Sequence, residues 1–456
     1  MTNNSYSKIL VVLCLFISTV SCTSESDAIK ITAENYHDLN EKLTEIMVHD
    51  IFSPPQASRI YVYPNIAAYE VLSNNSADYL SLAHQVNALK EVPQQENSTQ
   101  VNLRLAAMIA YVEVAQNLVF SDVIIQNYRD SLYNIWETKN KKEFKRAKTH
   151  AKQQVENIKK WMSKDNYAET RTMPDYDFFI EGPARWQPTP PGYIKGIEPH
   201  WDKIRPLVLD SSAQFKPAPH PEFSMDTESQ FYREVKEIYD IGEDLRRKGN
   251  KSKEIEIARF WDCNPFVSIT KGHYMFAEKK ISPGGHWLGI CKIANQKTQT
   301  DFEQSVYAYT KTSIAIFDAF ISCWDEKYRS NLIRPETLIK QHIDPEWKPL
   351  LQTPPFPEYT SGHSVVSNAA AEVLTTIFGE DFNFLDTTEE PYGLPAREYQ
   401  SFRQAAEEAT ISRLYGGIHY RTSVYEGVEQ GQSVGHLVNH KLNFFKKENQ
   451  MLTTNN

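Results

Sequence analysis

Cysteine is scarce in this chain of 456 residues, with five in all and none in a Cys-x-x-Cys spacing. If Cys14 leaves with an N-terminal leader and Cys22 is modified, Cys263, Cys291 and Cys323 remain. That odd number implies neither a disulfide framework nor a zinc site. Long apolar runs are missing as well. Even 101–119 carries Asn102, Arg104, Glu113 and Gln116, so no segment after the leader reads as a membrane span, which needs about 20 apolar residues. Positive charge is in deficit, with 49 Lys and Arg against 58 Asp and Glu and a formal net charge of −9. A protein that displaces counterions from a phosphate backbone needs the opposite balance, and nucleic acid is excluded as a general partner. Strand-like alternation, internal repeats and low-complexity linkers are also lacking.

What is present is an ordinary globular balance, with 41% hydrophobic, 23% charged and 12% aromatic residues. Lys8 precedes the apolar run 9–17, and Ser18-Thr19-Val20-Ser21-Cys22 follows it. This is the layout of a secretory signal of 1–22. It resembles a bacterial lipoprotein signal, with Cys22 as the lipidated first residue and Thr19 where that signal usually has an aliphatic. The expectation is export across the inner membrane as a periplasmic or outer-membrane lipoprotein, touching the membrane through its lipid alone. Cleavage without an anchor is the alternative.

Apolar residues Phe144, Ala147, Ala151, Val155, Ile158 and Met162 recur at three-and-four spacing and predict an amphipathic helix over 141–162. Similar periodicity marks 102–137, 227–247, 303–324, 364–378 and 399–415. The fold class expected is all-α, a helical bundle with long loops, with 23–456 forming one large helical domain and 50–72 an N-terminal packing layer. Irregular stretches rich in Pro, Gly and aromatics fall at 173–221 and at 281–287. Loops this long in a compact protein often cover a site.

Three elements within 324–423 carry chemistry. The helix from Glu303 brings Trp324, Asp325 and Lys327 and is expected to end near Arg334-Pro335, since proline disfavours helical geometry at the residue before it. Lys327 and Arg334 lie seven apart, about two turns, and share a face if the helix runs that far. Ser361-Gly362-His363 then opens a helical run. Its glycine permits close backbone approach and its N-terminus favours an anion, while His363 is placed to exchange protons. In Ser412-Arg413-Leu414-Tyr415-Gly416-Gly417-Ile418-His419 the glycine pair interrupts a helix and folds His419 back toward Arg413. Taken singly, each is equally a solvated basic face, an ordinary helix cap or a histidine in a turn.

Taken in order, Lys-x6-Arg-Pro, Ser-Gly-His and Ser-Arg-x5-His resemble the signature of the superfamily that joins vanadium haloperoxidases to type 2 phosphatidic acid phosphatases. The segments 53–59, 260–265, 323–327 and 356–360 are similar to bacterial vanadium-dependent haloperoxidases of the iodoperoxidase kind. The resemblance implies a bundle in which vanadate is the cofactor, phosphate being able to occupy the same place. His419 would be the metal ligand, and Lys327, Arg334, Arg413, Ser361 and Gly362 would hold the oxyanion. His363 would be the acid-base group, Trp324 and Phe356 would line the halide approach, and hydrogen peroxide and halide, iodide or bromide, would be the substrates. Thr360 stands where the family has proline, and Ser423 where it has the aspartate that orients the histidine ring. Ser423 is therefore expected to leave His419 a weaker ligand, and Ser423→Asp to strengthen it. Two alternatives stay open: a secreted acid phosphatase with a phosphohistidine intermediate, and a degenerate oxyanion-binding lipoprotein.

Overall fold

The computed structural model describes residues 28–74, 76–91, 101–176, 182–271, 274–277 and 279–446; the leader and Cys22 lie outside them. The N-terminal half holds α1 (Ala33–Asp50), α2 (Pro54–Ser73), α3 (Leu103–Ala115), α4 (Asp122–Met162), the short α5 (Tyr167–Thr170), α6 (Gln230–Lys248) and α7 (Lys253–Phe260). After them come α8 (Pro283–Thr298), α9 (Phe302–Ser330), α10 (Pro335–His342), α11 (Gly362–Phe378), α12 (Phe402–Tyr415) and α13 (Arg421–Lys441). Strand is confined, among the described residues, to two antiparallel pairs. They are β1 (Ser268–Lys271) with β2 (Tyr274–Ala277) and β3 (Phe384–Asp386) with β4 (Arg397–Tyr399). The all-α expectation holds. No helix among the described residues is long and apolar enough to cross a membrane.

Several boundaries differ from the periodicity for identifiable reasons. The pattern over 102–137 is split between α3 and α4, and α4 itself is kinked at Asn140, whose backbone is extended. Within the segment 50–72, every residue of α2 except Gln56 is buried, and the helix packs against α3 and α9. The stretch 281–287 is the start of α8 and not a loop. Ser282 caps it through the Gly285 N–H, and Pro283 occupies the first turn, where its missing N–H costs nothing. The expected loop at 173–221 is irregular where described. Its far end is tied to α9 by the buried Asp318 carboxylate, which accepts from the Leu207, Val208 and Leu209 N–H groups at 2.7–2.9 Å.

Helix α11 is the element on which the later helices converge, packing against α9, α12 and α13. Its approach to α13 depends on residues without side chains. A Cβ on Gly431 would lie 2.2 Å from the Val365 carbonyl oxygen, and one on Gly435 2.9 Å from that of Ala369. The two backbones are thus nearly in contact, which holds the start of α11 against the segment that carries His419. Gly431→Ala sets a methyl against main chain that no rotamer change can move. Overpacking of this kind costs about 1–3 kcal/mol, so the variant should melt several degrees below the parent in calorimetry, and an unchanged melting temperature would disprove this packing.

Candidate active site

Helix α9 delivers Trp324 and Lys327 and then stops at Ser330, with Asn331 in the left-handed conformation as its cap. Lys327 and Arg334 therefore do not share a helical face. The chain turns out of α9, runs extended through Leu332 and Ile333, and places Arg334 at the start of α10, where Pro335 fixes its backbone in the extended region. The turn from α12 into His419 works as the glycine pair implied. Gly417 has φ +74°, the Ile418 N–H reaches the Arg413 carbonyl and the Gly417 N–H that of Leu414, which is the Schellman way of closing a helix. Ser361 caps α11 through the Ser364 N–H at 3.3 Å, leaving Gly362 and His363 in its first turn.

These segments meet around one cavity bordered by Trp324, Phe356, Gly362, His363, Arg413 and His419. Lys327, Arg334 and Arg413 are all essentially inaccessible to solvent. Three carbonyls, of Pro357, Glu358 and Thr360, accept the Lys327 ammonium protons at 3.1, 3.1 and 2.5 Å, and the Phe356 ring lies 5.0 Å from its nitrogen. Lys327 thereby staples the turn before Ser361 and offers the cavity its charge. Arg334 donates from Nε to the Phe356 carbonyl and from Nη1 to the Ile418 carbonyl, while its Nη2 is buried with no partner. Arg413 donates to the Trp261 carbonyl at 2.6 Å. Burial pushes all three cations below their ordinary values, Lys327 to about 8 and Arg334 to about 10, with Arg334 adding repulsion at Lys327.

Burial and the surrounding cations hold both histidines well below the ordinary imidazole range, hence neutral. His363 spends one ring nitrogen on the Trp261 carbonyl and keeps a buried Nε2 with no partner. His419 Nδ1 lies 2.7 Å from Glu358 Oε1, and its Nε2 lies 3.1 Å from Arg334 Nη1. The carboxylate accepts a hydrogen bond from Nδ1–H, so Nε2 carries the lone pair, the form a metal ligand requires. Glu358 also accepts from the Tyr420 N–H at 3.0 Å. Burial lifts it to about 7 against the pull of Arg334 and Lys327.

Glu358 corrects the expectation drawn from Ser423. The ring does have a carboxylate behind it, supplied from the turn before Ser361 instead of from one helical turn beyond the histidine. Ser423 lies 3.4 Å from the same nitrogen. Thr360, in the proline position, donates to Gln430 of α13 at 2.7 Å and so adds a tie between the turn and that helix. Trp324 and Phe356 pack together with ring centroids 5.0 Å apart on the cavity wall. Asp325 pairs with Arg329 outside the cavity and serves none of the three buried cations.

An oxyanion fits this constellation, because two buried polar atoms lack partners, His363 Nε2 of a residue on the cavity wall and Arg334 Nη2 of the residue bonded to His419, with Arg413 also on that wall. A family profile described as the VCPO second helical-bundle domain matches residues 308–447. No curated protein matches. A solved structure titled the first bacterial vanadium-dependent iodoperoxidase is 55% identical, covers 92% of this chain and 99% of its own, and superposes with a TM-score of 0.89. The chain belongs to the vanadium-dependent haloperoxidase family. A bacterial vanadium-dependent chloroperoxidase, 18% identical with a TM-score of 0.64 over 86% of this chain and 93% of its own, shares the fold.

Two outcomes separate this haloperoxidase site from the one its sequence suggested. Glu358→Gln keeps the shape and removes the charge behind His419. Loss of such a partner usually weakens metal binding about 10- to 100-fold, to be read as vanadate retention. Ser423→Asp should weaken binding or leave it unchanged, since it crowds a second carboxylate beside Glu358. Oxyanion affinity should also fall as pH rises past about 8, where Lys327 of the free site loses its proton. A bound anion favours the charged ammonium, so binding above that pH must recapture a proton. Sulfate, whose own charge is constant there, provides the titration, and a flat profile from pH 7 to 9.5 would contradict it.

Proposed function

We propose that the protein is a haloperoxidase that uses vanadate and hydrogen peroxide to oxidise halide, iodide or bromide, to hypohalous acid or its equivalent. The observation that carries this reading is the Glu358–His419 pair, whose Nε2 lone pair lies among three buried cations, within a chain 55% identical to a structure titled as an iodoperoxidase. Iodide is accordingly the first halide to assay. The same pair removes the ground for the degenerate alternative, which rested on a histidine without a carboxylate.

Bound vanadate would supply an electrophilic centre at which peroxide is activated toward halide. His419 Nε2 would be its protein ligand, held in the right tautomer by Glu358. Arg334, Arg413, Ser361 and the Gly362 backbone at the α11 N-terminus would hold the oxygens, with Lys327 adding charge. His363 Nε2, neutral and without a partner, is suited to take the proton of incoming hydrogen peroxide and to return it to the departing oxygen. Trp324 and Phe356 give a halide a polarisable, poorly hydrated approach and limit competing water. The leader ending at Cys22 supports export of the enzyme to the envelope as a lipoprotein.

The two histidines should fail differently. His419→Ala should lose vanadate, whereas His363→Ala should retain it and lose about a hundredfold to ten-thousandfold in rate. Bound vanadium and halide-dependent peroxide consumption, measured on both variants beside a phosphate-ester assay, distinguish the roles. Equal vanadium loss in the two would refute the assignment, and phosphate-ester turnover without halide oxidation would return the acid phosphatase.

A further inference from the structure

Behind the Trp261 end of the cavity lies a cluster that the proposed reaction does not use. Cys263, His286 and Glu389, from segments far apart in the chain, converge with all three side chains buried. Cys263 Sγ lies 3.5 Å from His286 Nδ1, Glu389 Oε1 lies 3.0 Å from that nitrogen, and sulfur and carboxylate oxygen are 3.8 Å apart. Zinc bond lengths of about 2.3 Å to sulfur and 2.0–2.2 Å to nitrogen and oxygen give tetrahedral edges of roughly 3.3–3.6 Å. The three donors thus already stand near the corners of one face of a zinc tetrahedron.

The surroundings are those of a ligating histidine. Asp386 Oδ2 lies 2.8 Å from His286 Nε2, and the other Asp386 oxygen is fixed by the Thr388 N–H and hydroxyl at 3.0 and 2.6 Å. A carboxylate on the far nitrogen is the usual support for a zinc-bound imidazole, because it fixes tautomer and ring orientation. The Trp261 ring stacks on the imidazole with centroids 4.4 Å apart and planes 15° from parallel.

We propose that Cys263, His286 and Glu389 bind a zinc ion, with Asp386 orienting the histidine and water as the fourth ligand. The ion joins the loop after α7, the first turn of α8 and the segment after β3, and so fixes the wall that carries the Trp261 carbonyl to which Arg413 and His363 are bonded. The competing state is an imidazolium held between Asp386 and Glu389 with the thiol as bystander.

The test uses the full mature chain loaded with vanadate. Purified without chelator, it should contain about one zinc per chain by elemental analysis, and stripping the ion should lower the melting temperature, reversibly on adding zinc. Cobalt added to the stripped protein should produce a thiolate-to-cobalt charge-transfer band, lost in Cys263→Ser and weakened in Glu389→Gln. Absence of both zinc and the cobalt band from the parent protein would establish the imidazolium triad and overturn the site. So would stoichiometric zinc retained unchanged in Cys263→Ser. None of these readings depends on halide turnover, so the proposed activity and this site stand or fall separately.

Discussion

Burying three cations around one small cavity is the constraint to which the rest of this structure answers. An unpaired buried charge is costly, and its ordinary remedy is a carboxylate partner. Here the partners are mostly carbonyls. Lys327 is absorbed by the turn at 357–360, Arg334 by Phe356 and Ile418, and Arg413 by Trp261, so the charge is held in place without being cancelled. Burial depresses all three cations, and a bound oxyanion would counter that. The accepting carbonyls all come from irregular backbone, whose C=O groups are not committed to helical bonds. A site of this kind therefore needs loops as much as helices, and here the loops are pinned from several sides.

Glu358 brings a carboxylate against His419, and its location decides what it does. Its backbone carbonyl accepts from Lys327, its side chain faces His419, and its N–H is spent on the Leu332 carbonyl. One residue thus joins the turn before α11, the exit from α9 and the start of α13. Moving the orienting charge from a helical neighbour of the histidine to this turn leaves the acid–imidazole geometry intact and links it to Lys327, so the tautomer of His419 and the position of the ammonium are not independent.

Much of this was legible in sequence, and what was missed shares a cause. Lys327, Arg334, Ser361, Gly362, Arg413 and His419 were singled out because their order and spacing resemble the family signature, and in the structure each lies near the start or end of a helix. The helical stripes were sound in kind: the gap between the stripes at 137 and 141 falls at the Asn140 kink, whereas the break between α3 and α4 was missed and the helix expected to end near Arg334 stops at Ser330. Glu358 escaped because its partner lies 61 residues away. A carboxylate between Pro357 and Tyr359 carries no periodic or capping signal, and the expected partner position, four residues after His419, was filled by Ser423. The zinc cluster escaped for the same reason. Cys263 stands alone in sequence, and His286 lies in a stretch whose proline and glycines read as a loop.

Trp261 is where the two clusters meet. Its ring stacks on His286, and its carbonyl accepts from Arg413 and His363, so one residue has its side chain in one cluster and its backbone in the other. Cys263, two residues on, borders both. Trp261 is tied to the end of α7 by its N–H on the Ile257 carbonyl and to α12 by its indole N–H on Glu408, and each cluster grips it from one further side. On the cavity side the grip is the Arg413 guanidinium. On the other it is the Asp386–His286 pair together with Glu389. A change in that second grip would reach the Trp261 carbonyl through the ring stacked on His286. The carbonyl beside His363 is thus linked both to Arg413 inside the oxyanion site and, through the Trp261 ring, to groups outside it.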